Sequence, residues 1–196
     1  MFIDTIPEDA ATGDVADYYR HQHESWGFLP NYARLFSSRP DVAEAWNRLN
    51  LAIRGGMDRR MFEIATIAAA RALHSTYCTV AHSKFLRDVC GDEATLERIA
   101  DDPSGAGLSA QDRAVFEFAT RVATDAAATQ QADVDALRAH GLTDADVANI
   151  VFAVAARSFF TRVLDGLGAQ LDVETADAFA PALLESMLVG RAVATA

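Results

Sequence analysis

Apolar residues recur every three to four positions through most of the chain, and no segment alternates apolar with polar over a strand's length. The pattern predicts an all-α fold of one domain spanning 1–196. Residues 1–7 read as an extended arm. Asp9 to Ser25 reads as a first helix, with Val15, Tyr18, Tyr19 and Trp26 on its apolar side. Gly27 to Asn31 is a turn, in which Pro30 biases Leu29 away from helix. A short helix over Tyr32 to Ser37 follows. The next runs from Asp41 to Arg54, with Val42, Ala45, Trp46, Leu49 and Ile53 on one face and Gly55-Gly56 as its stop.

Two helices come next, from Asp58 to Leu73 and from Thr76 to Val89, with a break near His74. Helices over Glu93 to Ala100, Ser109 to Asp125 and Asp133 to His140 surround a polar loop at Asp101 to Leu108. Thr143 caps a helix over Asp144 to Leu167 that is apolar almost all round, which predicts a central position. Arg157 and Arg162 interrupt it, and a buried arginine there requires a partner, either Asp165 or the site itself. The last helix is expected over Glu174 to Val193. Residues 1–57 thus form an N-terminal helical extension, 58–90 a central helix pair, and 109–193 scaffold and oligomerisation helices. No apolar run reads as a membrane span.

Charge narrows the partners. The chain carries a net charge of −11, and Lys84 is its only lysine. Arginines are scattered, with no basic stripe, which argues against nucleic acid and anionic membranes. The start, MFIDTIPEDAATGD, lacks the basic and apolar regions of a secretory signal. Two cysteines make no disulfide framework and fit a reducing compartment, so a cytoplasmic location is expected.

Candidate chemistry concentrates in the central pair. Cys78 and His82 are four apart and share one helix face. Ser75 is placed to cap that helix, which puts Cys78 in its first turn, where the helix dipole and a protonated His82 would favour thiolate. Glu63 lies one helix earlier, alone in an apolar stretch, and needs a partner. If the helices turn back on one another, Glu63 can orient His82, and a base so oriented activates a thiol. Tyr77 is a possible proton donor. His74, Cys78 and His82 form a ladder whose ends lie about 12 Å apart on a straight helix, too far for one ion, so no metal and no cofactor is expected. His21 and His23, two apart, read as surface residues.

The order Glu63, eleven residues, Ser75, two residues, Cys78, three residues, His82 resembles the signature of the AhpD-like alkylhydroperoxidase and carboxymuconolactone decarboxylase superfamily, Glu-x11-Cys-x2-Cys-x3-His in its peroxidase branch. Gly27-Phe28-Leu29-Pro30-Asn31 and the Arg39-Pro40 helix start are similar to its longer, peroxidase-related members. The resemblance implies an all-helical bundle, commonly a trimer or built from trimers. It implies that Cys78 attacks a hydroperoxide while His82 and Glu63 relay protons. Such enzymes are reduced by a thioredoxin-like or lipoyl donor.

The sequence departs from that signature at Ser75, which cannot form the resolving disulfide. Cys90 lies about 18 Å further along a continuous helix, beyond the roughly 7 Å that a disulfide tolerates; it reads as a small buried residue. Three readings remain open. One is a one-Cys hydroperoxide reductase restored by an external thiol. Another is a cofactor-free decarboxylase or isomerase in which Glu63 and His82 do acid–base work on a small organic acid or lactone, with Cys78 as wall or proton donor. Ser75, Tyr77 and Arg157 are candidate supporting residues of the site. The third is a non-catalytic helical homo-oligomer. A low Cys78 pKa would favour the first; an arginine-lined cavity would favour the second.

Overall fold

The computed structural model describes residues 1–102 and 104–195, and among them every regular element is helical. Pro103, within the loop expected at 101–108, lies outside the described residues. After a 3₁₀ turn at Glu8–Ala10 come α1 (Gly13–Trp26), α2 (Asn31–Leu35), α3 (Pro40–Gly55), α4 (Arg59–Ala72), α5 (Thr76–Asp88) and α6 (Glu93–Asp101). Then follow α7 (Ala110–Asp125), α8 (Gln131–Ala139), α9 (Asp144–Leu167), α10 (Val173–Ala176) and α11 (Pro181–Met187).

The bundle is built around α4, which packs on α5, α7 and α9. All nine residues from Phe62 to Ala70 are buried. Four of them are alanines, whose small side chains let neighbouring helices approach closely. Arg60, near the start of α4, holds the register. It donates to Asp92 Oδ2 (2.5 Å) and to both oxygens of Asp112 (2.6 and 2.9 Å). Those carboxylates stand at the N-termini of α6 and α7, where Asp92 accepts from Thr95 N and Ser109 caps through Asp112 N.

The break between α4 and α5 is a Schellman turn. Ser75 N donates to Ala70 O (2.9 Å) and His74 N to Arg71 O (3.0 Å), with His74 in the left-handed region at φ 56°. The C-terminal tail crosses this turn. Gly190 N donates to Thr76 Oγ1 (2.9 Å), and a Cβ on Gly190 would lie 1.9 Å from the His74 carbonyl oxygen.

Three sequence expectations need correction. The first helix begins at Gly13 and not at Asp9, because extended Thr12 and left-handed Gly13 (φ 54°) separate it from the 3₁₀ turn. The last helix is two short ones. Ala180 is extended ahead of Pro181, which starts α11, and the chain leaves helix after Met187. Finally, α9 is long and apolar enough, by length and composition alone, to cross a membrane; half of that window is buried against the rest of the fold. Its centre carries Arg157, and its bounds match the sequence reading.

Candidate active site

Helices α4 and α5 place their functional side chains face to face. Glu63 is fully buried, and its Oε2 lies 2.6 Å from His82 Nδ1. Its other oxygen accepts from Arg59 Nε at 2.5 Å. The lone carboxylate of the apolar helix therefore has two partners. Only His82 was foreseen; Arg59, one turn before Glu63, was legible as an i,i+4 pair. Burial works to raise the Glu63 pKa, but His82 and Arg59 outweigh it and hold the carboxyl below its usual value. His82 is pushed down to about 4, by burial first and then by the nearby Arg157 charge. At neutral pH it is an uncharged imidazole that donates Nδ1–H to Glu63 and leaves Nε2 as a base. The protonated His82 that would favour thiolate is therefore disfavoured, by burial first and then by the Arg157 and Arg59 charges.

Cys78 stands in the first turn of α5, as its spacing from Ser75 predicts, and is buried. Arg157 Nη1 donates to its sulfur at 3.6 Å. Burial pushes the Cys78 thiol up; Arg157 and the Ser75 hydroxyl pull against it without reversing the shift. Arg157, reaching in from α9, is 3% exposed and has no carboxylate partner among the described residues. Its Nε is buried without an acceptor. Its guanidinium carbon lies 5.5 Å from the ring centroids of both Trp46 and Phe160. Those two rings stack 4.0 Å apart at 19°.

Ser75 holds the N-cap position but makes no capping hydrogen bond. Its hydroxyl is buried, close enough to Cys78 and Asp165 to favour their charged forms. Tyr77 donates its hydroxyl to Asp172 and accepts from Tyr32 N at 3.4 Å. Cys90 is free and half-buried, in the turn beyond α5, where it was expected to be buried. His23 contacts Glu8 at 2.6 Å on the surface. His21 lies at the edge of the cavity described next. Among the described residues, no group of three or more His, Cys, Asp or Glu side chains is arranged to hold a metal ion.

Glu63, Cys78, His82, Tyr77 and Arg157 open onto one cavity of about 360 Å³ between α1, α3, α4, α5 and α9. Its walls mix polar side chains with aromatic rings, Trp26, Tyr32, Trp46, Phe85 and Phe160 among them. Sequence periodicity assigned most of these rings to helix packing, and nothing in it showed that they share a cavity. Ser75 is not among the lining residues.

Comparison with known proteins agrees with the architecture. Residues 40–104 match the model of the carboxymuconolactone decarboxylase family. No curated protein matches the chain. The chain is similar to the solved structure of an alkylhydroperoxidase AhpD core, an uncharacterized peroxidase-related protein from Ralstonia eutropha JMP134. Identity is 25% and the TM-score 0.78, over 89% of this chain and 93% of that one. A peroxidase-related protein from Silicibacter sp. TM1040 is 21% identical, with a TM-score of 0.73 over 89% and 91% of the two chains. A cysteine-to-alanine variant of the debrominase Bmp8, solved in complex with 2,3,4-tribromopyrrole, is 17% identical, with a TM-score of 0.74 over 93% and 96%.

The chain has the AhpD-like all-α fold, and the family resemblance read from Glu63, Cys78 and His82 stands.

Proposed function

We propose that this AhpD-like chain is a thiol-dependent reductase of small hydroperoxides, with Cys78 as its one reacting thiol. The observation that carries the reading is the Glu63–His82 contact of 2.6 Å, one helical turn from a thiol that Arg157 approaches to 3.6 Å. A carboxylate orients an imidazole, the imidazole is a neutral base, and a fixed positive charge waits beside the sulfur. His82 takes the Cys78 proton. The sulfur attacks one peroxide oxygen, the O–O bond breaks, and the alkoxide leaves as the alcohol with the proton that His82 returns. Cys78 becomes a sulfenic acid and the hydroperoxide is reduced by two electrons. Arg157 stabilises the thiolate and then the departing oxygen.

Burial keeps Cys78 as a thiol at rest, so the charge is created only as the reaction proceeds. Ser75 cannot resolve the sulfenic acid, and the helical turns of α5 hold Cys90 away from Cys78. Two external thiol equivalents therefore restore the enzyme. The first displaces water to form a mixed disulfide, and the second releases Cys78. A thioredoxin-like or lipoyl donor in a reducing, cytoplasmic compartment fits this cycle. The exposed apolar side chains Leu49, Phe152 and Phe159 on α3 and α9 are consistent with a homo-oligomer, a trimer or a multiple of one.

A second reading, acid–base chemistry by Glu63 and His82 on a small organic acid, is favoured by the raised Cys78 pKa and by Arg157, which has no carboxylate partner among the described residues. Stopped-flow oxidation by cumene hydroperoxide separates the two. One equivalent of sulfenic acid, trapped at Cys78, should form at least ~100-fold faster than on a free thiol, as expected of positioned acid–base help. It should be lost in Cys78→Ser. Oxidation at the free-thiol rate would sink the peroxide reading and leave the acid–base one.

A further inference from the structure

We infer that the cavity binds a small planar aromatic molecule bearing one anionic oxygen group, its ring among Trp26, Tyr32, Trp46, Phe85 and Phe160 and its charge on Arg157. This goes beyond the reading above and shares with it only the cavity.

The argument begins with charge. Arg157 is 3% exposed, and a buried guanidinium needs an anion. Among the described residues, its side chain has one hydrogen-bond partner, the Cys78 sulfur at 3.6 Å, which burial keeps as a neutral thiol. Its Nε–H is buried and has no acceptor. The carboxylates lining the cavity are already engaged: Glu63 by Arg59 and His82, and Glu44 by Arg48 at 3.8 Å. Arg54 and Arg59 also line the cavity, so it holds three guanidinium groups against two carboxylates. A chain of net charge −11 thus encloses a positive site. The missing anion is one that the ligand brings.

Shape supplies the other half. The Trp46–Phe160 stack forms one wall and carries Arg157 against its faces. Tyr32 meets Phe160 edge-on at 5.4 Å, and Trp26 lies 5.6 Å from Phe85. Rings at several inclinations offer both faces and edges, which suits a flat π-system better than a flexible chain. The volume of about 360 Å³ sits at the small end of the roughly 300–1,000 Å³ usual for ligand sites.

The test reads binding without turnover, so it stands whether or not Cys78 reacts with peroxide. Trp26 and Trp46 are the chain's two tryptophans and both line the cavity, so quenching of their fluorescence reports occupancy. Benzoate is titrated beside its neutral analogue benzamide and its non-planar analogue cyclohexanecarboxylate. Benzoate should bind at least ~10-fold more tightly than either, the scale of one buried charge-assisted hydrogen bond. Arg157→Met should remove the preference for benzoate over benzamide, and Arg157→Lys should keep part of it. Should Arg157→Met not fold, the three-ligand series on the wild-type protein and on Arg157→Lys decides alone. Equal affinity for benzoate and benzamide, equal affinity for cyclohexanecarboxylate, or no benzoate binding at millimolar concentration would each overturn the inference.

Discussion

His82 should make the folded protein sensitive to mild acid in a way that a single substitution removes. In the unfolded chain an imidazole titrates near 6.5; in the fold it is pushed down to about 4 by burial and by Arg157. The unfolded state therefore takes up the proton first. Stability is fully present above pH 6.5 and is lost as pH falls toward 4. By linkage, the displacement from 6.5 to about 4 is worth about 3 kcal/mol in total, of which about 2 kcal/mol is gone by pH 5. Aspartates and glutamates complicate any such curve, so the comparison is with His82→Asn, which keeps an N–H for Glu63 and does not titrate. Urea unfolding at pH 7.5, 6.5, 5.5 and 5.0 gives both curves. Wild type should lose about 2 kcal/mol more than His82→Asn between pH 7.5 and 5. Parallel curves would refute the reasoning, because His82 would then have the same proton affinity folded and unfolded. A wild type that gained relative stability in acid would mean that Glu63 holds His82 as a cation. The same shift applies to the chemistry: the acid limb of Cys78 oxidation should fall near pH 4 and not near 6.5.

Other substitutions check the local geometry. Gly190→Ala places a methyl group 1.9 Å from the His74 carbonyl oxygen, so it should cost about 1–3 kcal/mol or release the tail, read as a lower melting temperature and faster proteolysis beyond Met187. His74→Gly relieves a left-handed residue at φ 56° and should raise stability by about 1 kcal/mol in chemical denaturation. Glu63→Gln removes the charge that Arg59 and His82 share and leaves an acceptor oxygen for only one of them. It should slow Cys78 oxidation by about 100-fold or more, while the helical circular dichroism signal is retained.

Local rules were enough for much of this molecule. The bounds of α9, its Thr143 capping box, the caps at Asp58 and Ser109 and the break at His74 all follow from residue type and spacing over a few positions. The trio of Glu63, Cys78 and His82 was legible too. Four positions on a helix fix a shared face, and a carboxylate in an apolar run needs a partner. Local rules failed where distant segments compete. Ser75 has a capping residue's identity and position, yet its hydroxyl is turned into the fold. The pattern over 174–193 is helical, but Pro181 splits it and the tail is held extended across the α4–α5 turn.

What the sequence determined by itself is therefore the set of helices and the faces that carry the chemistry, because helix geometry couples residues only three or four apart. The tertiary structure alone decided that Arg157 meets Cys78 across 79 positions, that His82 is neutral, and that aromatic rings from separate helices close one cavity. Each of these depends on burial and on charges brought close by packing, and neither is a property of any single stretch of chain.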